Sequence, residues 1–512
     1  MDKMISKQRS LNIHRPTVGK GGKGRGGPPN RMNDLVYRDW MKFQKSFFRY
    51  ASDQKLIEEC VYFFTKALWQ DGSPSCSLIV GADEFSPIEI SPPRVVTHID
   101  KQRSFDAVNA SIRAETKKNG GHDFVLVDLR PLINDSSALD NFITKYAAAF
   151  FEGLRASLND ERYCCVMVGA PEPGGGGFPF AWAVALAARS ALRLRDEKIG
   201  LIESEGRIFY CLFMQANEDG RPQELISCNM LRLAPPKLAQ NIPAWIIPKS
   251  PPRSKDEILH PAKFPETLIE QFIKLFTREL DNVFDPMVGT GSSVIAALRT
   301  KRNGYGVDLS EEFIRTAIKR IEKEKAPSLF PDDVEPEGQV FVGDATRLDQ
   351  IDEIAGMRFE YAVTSPPYWS MLTNPGSENQ KARRSRNLPL VYSEKSQDLG
   401  NISDYDRFLD VLEDVYRQVA ERLTEEGILT VVVKNVKRNH ILYPLAWDLV
   451  IRLCGSDGPF DYVGNTLWCQ DDVGIKPFAV GIYWVSNILH TYCLHFKKRK
   501  GARKKRKGKS SR

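Results

Sequence analysis

The chain has 512 residues, 42% of them hydrophobic, enough for more than one core because single cores stop growing near ~250–300 residues. No stretch approaches the ~20 consecutive apolar residues of a membrane span, and residues 1–31 lack an apolar signal-peptide core, so the expectation is a soluble intracellular protein, cytoplasmic and, in a prokaryote, nucleoid-associated, with no membrane partner. The net charge of +7 is unevenly divided: residues 1–31 hold eight Lys/Arg and one acid, residues 497–512 hold eleven Lys/Arg and no acid, and the body between them is left at −11.

In chain order, residues 1–34 read as a basic, Gly-rich tail containing Lys20-Gly21-Gly22-Lys23-Gly24-Arg25. Together with the basic tail at 498–512 it suits sequence-blind, salt-sensitive phosphate contacts, the plain alternative being solubilisation or targeting. From about 35 to 235 the pattern is α/β: an amphipathic segment at 56–66, an apolar run Ser77-Leu78-Ile79-Val80-Gly81-Ala82-Asp83, then Val127-Asp128-Leu129-Arg130-Pro131, a strand near 166–168 and a helix opening at Pro179. Gly174-Gly175-Gly176-Gly177 lacks the Lys-Ser/Thr of a phosphate loop and reads as a flexible loop. The nine cysteines contain no Cys-x-x-Cys pair and sit in apolar runs such as Tyr163-Cys164-Cys165-Val166, so they read as buried thiols and no metal is expected. A Pro-rich linker over 236–254 favours extended structure.

The second α/β region spans 255–497. His260-Pro261-Ala262-Lys263-Phe264-Pro265 leads into a helix at 266–278. Asn282-Val283-Phe284 is a strand that runs into Asp285-Pro286-Met287-Val288-Gly289-Thr290-Gly291-Ser292 and an apolar helix at 293–299. The next strand, Gly304-Tyr305-Gly306-Val307-Asp308, ends in an acid placed to bind ribose hydroxyls. Gln339-Val340-Phe341-Val342-Gly343-Asp344 ends in a second acid, and Phe359-Glu360-Tyr361-Ala362-Val363 runs into Thr364-Ser365-Pro366-Pro367-Tyr368-Trp369. Four strand ends bearing ligand groups should converge on one crevice, as ligands of open α/β sheets bind along that edge. An insertion at 370–402 carries Lys381-Ala382-Arg383-Arg384-Ser385-Arg386, the main basic cluster of the body, and a further strand at 427–432 ends at Lys434-Asn435, where Asn435 reads equally as a crevice residue or a turn residue.

The pair Asp285 to Ser292 plus Ser365-Pro366-Pro367-Tyr368 resembles the S-adenosylmethionine-dependent amino-methyltransferases that modify DNA at cytosine N4 or adenine N6. The family's loop usually has Phe where Met287 stands and Thr where Ser292 stands. The resemblance covers about 255–497 and implies a Rossmann-like class I methyltransferase sheet. It implies S-adenosylmethionine as cofactor, held by Phe264, Asp285, Pro286, Gly289, Gly291, Ser292, Asp308 and Asp344. It further implies that Ser365 and the Pro366 carbonyl accept hydrogen bonds from the target amine, that Pro367 stiffens the turn, and that Tyr368 stacks on a base rotated out of the duplex with Trp369 assisting. Arg383, Arg384 and Arg386 are the expected DNA contacts. Serine at the motif's first position favours cytosine N4 over adenine N6. DNA is the expected partner, with a companion restriction nuclease or other defence partner compatible. The alternatives are an adenine-N6 enzyme, an RNA methyltransferase, or an idle nucleic-acid-binding scaffold.

Laid against itself, the chain repeats. The segment 56–66 parallels 268–278, and Leu158, Val166, Val168, Pro179, Ala181 and Trp182 match Leu423, Val431, Val433, Pro444, Ala446 and Trp447 at a constant offset of 265. The first copy lacks both the second loop glycine and the Ser-Pro-Pro-Tyr turn. A degenerate methyltransferase-like domain at 35–235 is therefore expected to precede the catalytic one.

Overall fold

A strand covered on both faces is apolar at consecutive positions, not alternate ones. Phe124-Val125-Leu126-Val127 and Tyr361-Ala362-Val363 obey that rule, and all of these side chains are fully buried in the interiors of two separate sheets. In the computed structural model the described residues are 32–83, 85–171, 179–216, 232–247, 264–324, 335–369, 398–438, 441–471, 475 and 486–500. Among them no helix is long and apolar enough to cross a membrane. Residues 1–31 and 501–512, Gly174 to Gly177 and the arginines at 383, 384 and 386 lie outside the described residues, while Met32 and Asn33 at the inner end of the first tail are buried and Lys498 belongs to the last strand of the second sheet.

The first sheet contains β1 (Phe47–Arg49), β2 (Cys76–Val80), β3 (Val95–Ile99), β4 (His122–Asp128), β5 (Leu158–Gly169), β6 (Leu192–Ile202) and β7 (Arg207–Ala216), in the spatial order β1-β6-β7-β5-β4-β2-β3. Its helices are α1 (Tyr37–Lys42), α2 (Asp53–Phe64), α3 (Phe105–Asn119), α4 (Ser136–Asn141), α5 (Ala147–Ala156) and α6 (Phe180–Ala188). The second sheet contains β8 (Trp245–Ile246), β9 (Asn282–Asp285), β10 (Asn303–Asp308), β11 (Gly338–Val342), β12 (Phe359–Thr364), β13 (Leu423–Val433), β16 (Phe460–Cys469) and β17 (His490–Lys498), in the order β11-β10-β9-β12-β13-β17-β16-β8. A hairpin of β14 (Val436–Arg438) and β15 (Ile441–Tyr443) follows β13. The helices here are α7 (Glu266–Phe276), α8 (Ser292–Arg299), α9 (Glu311–Glu324), α10 (Tyr405–Arg422) and α11 (Leu445–Cys454).

The two sheets superpose strand for strand in order and direction. Both are parallel up to β5 or β13, then antiparallel through β7 and β6 or β17 and β16, and both end in a short strand running parallel to the last. The first sheet has no counterpart of β11, and between β2 and β3 only the short 3-10 turn Pro87–Glu89 stands where the second half has α8. Register exposes a further repeat that a single offset hides. Val166, Met167 and Val168 pair with Leu212, Cys211 and Tyr210, while Val431, Val432 and Val433 pair with Leu494, Cys493 and Tyr492. Tyr210-Cys211-Leu212 and Tyr492-Cys493-Leu494 are thus the same element at an offset of 282.

The largest apolar cluster runs through both halves. At its centre Trp182 and Trp447, equivalent residues in the two copies, stack with ring centroids 5.5 Å apart, and the ring of Tyr492 meets Trp182 edge-on at 5.4 Å. A residue touching its own equivalent is the mark of a two-fold interface. The halves are packed as the protomers of a symmetric dimer would be. Each tryptophan is fully buried, so Trp182→Ala and Trp447→Ala should each destabilise the chain by about 3–5 kcal/mol in urea unfolding. Because they share one contact, the double variant should lose less than the sum of the two.

Candidate active site at the carboxyl edge of the second sheet

Strands β10 and β11 lie to one side of β9, and β12 and β13 lie to the other. Connections leaving β9 and β12 therefore diverge, which opens a crevice between the loops that follow these two strands. The sequence puts its two most distinctive motifs at those two loops.

Asp285 closes β9. It is buried, its Oδ1 accepts from the Met287 N–H at 3.0 Å and its Oδ2 from the Ser293 hydroxyl at 2.6 Å. Burial pushes its pKa up to about 6 in spite of these hydrogen bonds. The carboxylate fixes the path of its own loop, across Pro286 and into the first turn of α8. Gly289 and Gly291 take positive φ (52° and 84°), and a Cβ on Gly291 would come within 3.0 Å of the Ala317 Cβ on α9. Glycine is needed there for backbone conformation and for close packing. The Gly289 N–H donates to Asp308 Oδ2 at 2.9 Å and the Ser310 N–H to Asp308 Oδ1 at 2.9 Å, so the acid at the end of β10 is locked in orientation. Ser292, at the first turn of α8, has a buried hydroxyl with no hydrogen-bond partner among the described residues. Asp344 Oδ1 accepts from the Thr346 N–H (2.8 Å) and hydroxyl (2.7 Å), and Asp344 lines a cleft with Leu309, Val342, Gly343 and Ile351. Phe264 is 9% exposed and packs with Leu268, Phe272, Ala296 and Ala297, steadying the approach to α7.

One support of the loop was not legible in the sequence. Arg320 of α9 donates to Glu266 Oε1 at 2.6 Å and to the Thr290 carbonyl at 2.5 Å, tying α7 and α9 to the residue between the two glycines. Glu266 is 7% exposed. An acid opening an otherwise apolar helix face was the available signal, but its partner lies 54 residues away.

At the end of β12, Ser365 is half-buried, Pro366 buried and Pro367 half-buried. Ser365 Oγ lies 3.3 Å from the Tyr368 hydroxyl, whose pKa burial pushes up to about 12. Trp369 departs from its expected role beside a base. It is 3% exposed, with Tyr443 and Tyr405 at 4.6 and 4.9 Å and the Arg438 guanidinium 5.0 Å above its ring. Its ring is spent on bracing the turn from behind. Asn435 likewise turns from the crevice: it is buried, donates to Glu197 Oε1 at 2.7 Å and accepts from the Ala446 N–H at 3.1 Å. Beside it Lys434 donates to Gln470 Oε1 at 2.7 Å, and burial pushes its pKa down to about 8.

The same place in the first sheet is filled from within. Val127 pairs with Val166 as Thr364 pairs with Val431, so Asp128 stands where Ser365 stands. Its carboxylate accepts from Arg130 at 2.9 and 2.7 Å, and Arg130 also donates to Asp53 at 2.7 Å.

A family model described as DNA methylase matches residues 227–319. The chain is 40% identical over 65 residues to the Type II methyltransferase M2.DpnII of Streptococcus pneumoniae, covering 13% of this chain and 24% of that protein. It is 29% identical over 164 residues to a tRNA (guanine(10)-N2)-dimethyltransferase of Pyrococcus abyssi, covering 32% of this chain and 45% of that one. The crystal structure of TrmN from Thermus thermophilus aligns with 78% of this chain and 79% of its own, at 12% identity and a TM-score of 0.29. The chain thus spans less than half the length of either curated relative. It resembles the amino-methyltransferases, and the cofactor which that resemblance implies is S-adenosylmethionine. The residues fit such a group: two glycines expose backbone, Ser292 has a hydroxyl to offer, Asp308 suits a ribose diol, and the cleft at Asp344, Leu309 and Ile351 suits an amino-bearing ring.

Two outcomes follow from this geometry. Arg320→Ala frees the glycine loop from α7 and α9 and should weaken S-adenosylmethionine binding roughly tenfold by calorimetry, about 1.4 kcal/mol. Lys434 binds its proton more weakly folded than unfolded, so its burial penalty is full below about pH 8 and fades as pH rises towards the unfolded value of 10.5. Lys434→Met should therefore be more stable than the parent by about 1–3 kcal/mol at pH 7, with the advantage shrinking between pH 8 and 10 in urea unfolding.

Proposed function

We propose that this chain transfers a methyl group from S-adenosylmethionine to an exocyclic amino group of a DNA base, cytosine N4 before adenine N6. The observation that carries this reading is the meeting of the glycine loop and the Ser365-Pro366-Pro367-Tyr368 turn at the switch point between β9 and β12. A bound S-adenosylmethionine supplies an electrophilic sulfonium methyl. An exocyclic amine is a poor nucleophile because its lone pair is delocalised into the ring. Ser365 Oγ and the Pro366 carbonyl, accepting its two N–H groups, hold the nitrogen in a more nucleophilic geometry, and the two prolines keep that carbonyl from turning away. Tyr368, 8% exposed and hydrogen-bonded to Ser365, has its ring beside the same atoms, and contact with a base taken out of its stack would require it to be uncovered. Placing amine and methyl in line is then a positioning task without a covalent intermediate.

Similarity to a Type II DNA methyltransferase supports the DNA reading, and in such a system the modification would protect DNA from a companion nuclease. Similarity over a longer stretch to a tRNA guanine-N2 enzyme supports a second reading with the same chemistry, an exocyclic amine of RNA. Transfer of labelled methyl from S-adenosylmethionine to unmethylated duplex DNA and, separately, to unmodified tRNA tests both, with nucleoside mass spectrometry of the product. N4-methylcytosine that drops at least a hundredfold in Ser365→Ala is the expected result. N6-methyladenine would change the base, N2-methylguanine in tRNA would change the polymer, and transfer undiminished in Ser365→Ala would remove the turn from the chemistry.

A further inference from the structure

The two-fold arrangement of the halves is not balanced in charge. On β6 the neighbours Asp196 and Glu197 pair with Phe213 and Leu212, and the corresponding places on β16 are Gly464 and Asn465, which pair with His495 and Leu494. The acids stand only in the degenerate half. Of the side chains they hold, Asn435, Lys437 and His490 have no like residue at the equivalent place in the first half, whereas Tyr492 is matched by Tyr210. Asp196, fully buried, accepts from Lys437 Nζ at 2.6 Å and from the Ser486 N–H. Glu197, 2% exposed, accepts from Asn435 Nδ2 at 2.7 Å, His490 Nε2 at 3.3 Å and the Tyr492 hydroxyl at 3.1 Å. At the constant offset of 265, Asn435 and Lys437 correspond in sequence to Ala170 and Glu172, so neither the amide nor the ammonium is repeated in the first half.

Asn435 and Lys437 are no remote pair. They follow directly on β13, the strand beside β12, and Lys437 belongs to the β14–β15 hairpin. The next residue in that hairpin, Arg438, lies over Trp369, and Tyr443 across the hairpin packs against the same ring at 4.6 Å. Trp369 is the neighbour of Tyr368. A continuous path therefore runs from Asp196 through Lys437, the hairpin and Trp369 to the turn that would receive the target amine. Buried charges joined in this way are geometrically exacting, since neither can swing out without leaving the other uncompensated.

We propose that Asp196 and Glu197 are positioning residues by which the degenerate half sets the Ser365–Tyr368 turn for the reaction assigned above, on which this inference rests. The degenerate half then acts on catalysis without touching substrate. Its influence falls on the target side of the crevice, because the glycine loop and its Arg320 brace lie on the other side of the sheet's switch point.

The test uses the full chain with Trp residues replaced by 5-fluorotryptophan, the Trp369 resonance being assigned by its absence in Trp369→Phe. Asp196→Asn and Lys437→Met break the same link from opposite ends, so one remains informative if the other does not fold. The expected result is a fall in kcat of at least tenfold in either variant, S-adenosylmethionine affinity within twofold of the parent, a moved Trp369 resonance, and a double variant no worse than the worse single. A folded variant with unchanged kcat and an unmoved resonance would overturn the proposal, as would cofactor affinity falling in step with kcat, which marks general loosening. Should the parent transfer no methyl group to DNA or tRNA, the assigned reaction fails alone: a moved resonance still upholds the coupling to the turn and an unmoved one removes it.

Discussion

The fold depends on an apolar surface that neither sheet can cover alone. Trp182 and Trp447 lie back to back in one cluster that includes strands and helices of both halves, so each half is the other's missing layer. A helix and a sheet must bury their apolar faces against something, and here the something is a copy of the same architecture. The turn-bearing end of the second sheet leans on that seam through β13, which pairs with β12, and through β17, which pairs with β13 and sets Tyr492 against Trp182.

What the first half has lost and what it has kept are separable. Among the described residues the first half has no helix after its first parallel strand and no outermost strand like β11, and in the second half these elements flank the glycine loop and the cleft beside Asp344. The strands and the Pro-initiated helix that form the seam remain. Arg130, bonded to Asp128 and Asp53, stands two residues past the place that corresponds to Ser365.

Much of this was legible in the amino-acid sequence for a physical reason. Glycine at 289 and 291 and proline at 366 and 367 are demanded by backbone geometry, so their spacing reports the loop and the turn before any contact is known. The copy relation was legible where chain lengths agree, at the 265 offset, and illegible at Tyr210 and Tyr492, where a longer excursion before β17 changes the offset. Trp369 was expected to assist beside a base and instead packs behind the turn, and Asn435, which read equally as a crevice or a turn residue, takes the second course. A strand end has two sides, and which one a side chain takes is decided by partners such as Arg438 and Glu197 that sit 69 and 238 residues away. Arg320 was invisible for the same reason.

Joining both copies in one chain has a consequence for how the seam behaves on dilution. A two-fold interface between separate protomers dissolves as concentration falls, and with it any site that leans on the partner. Here the partner belongs to the same chain, so association of the halves is intramolecular and does not depend on the amount of protein present. One crevice per chain, with its supporting half always at hand, makes the stoichiometry fixed, and the two faces of the seam are free to diverge in sequence because no substitution is forced to appear on both.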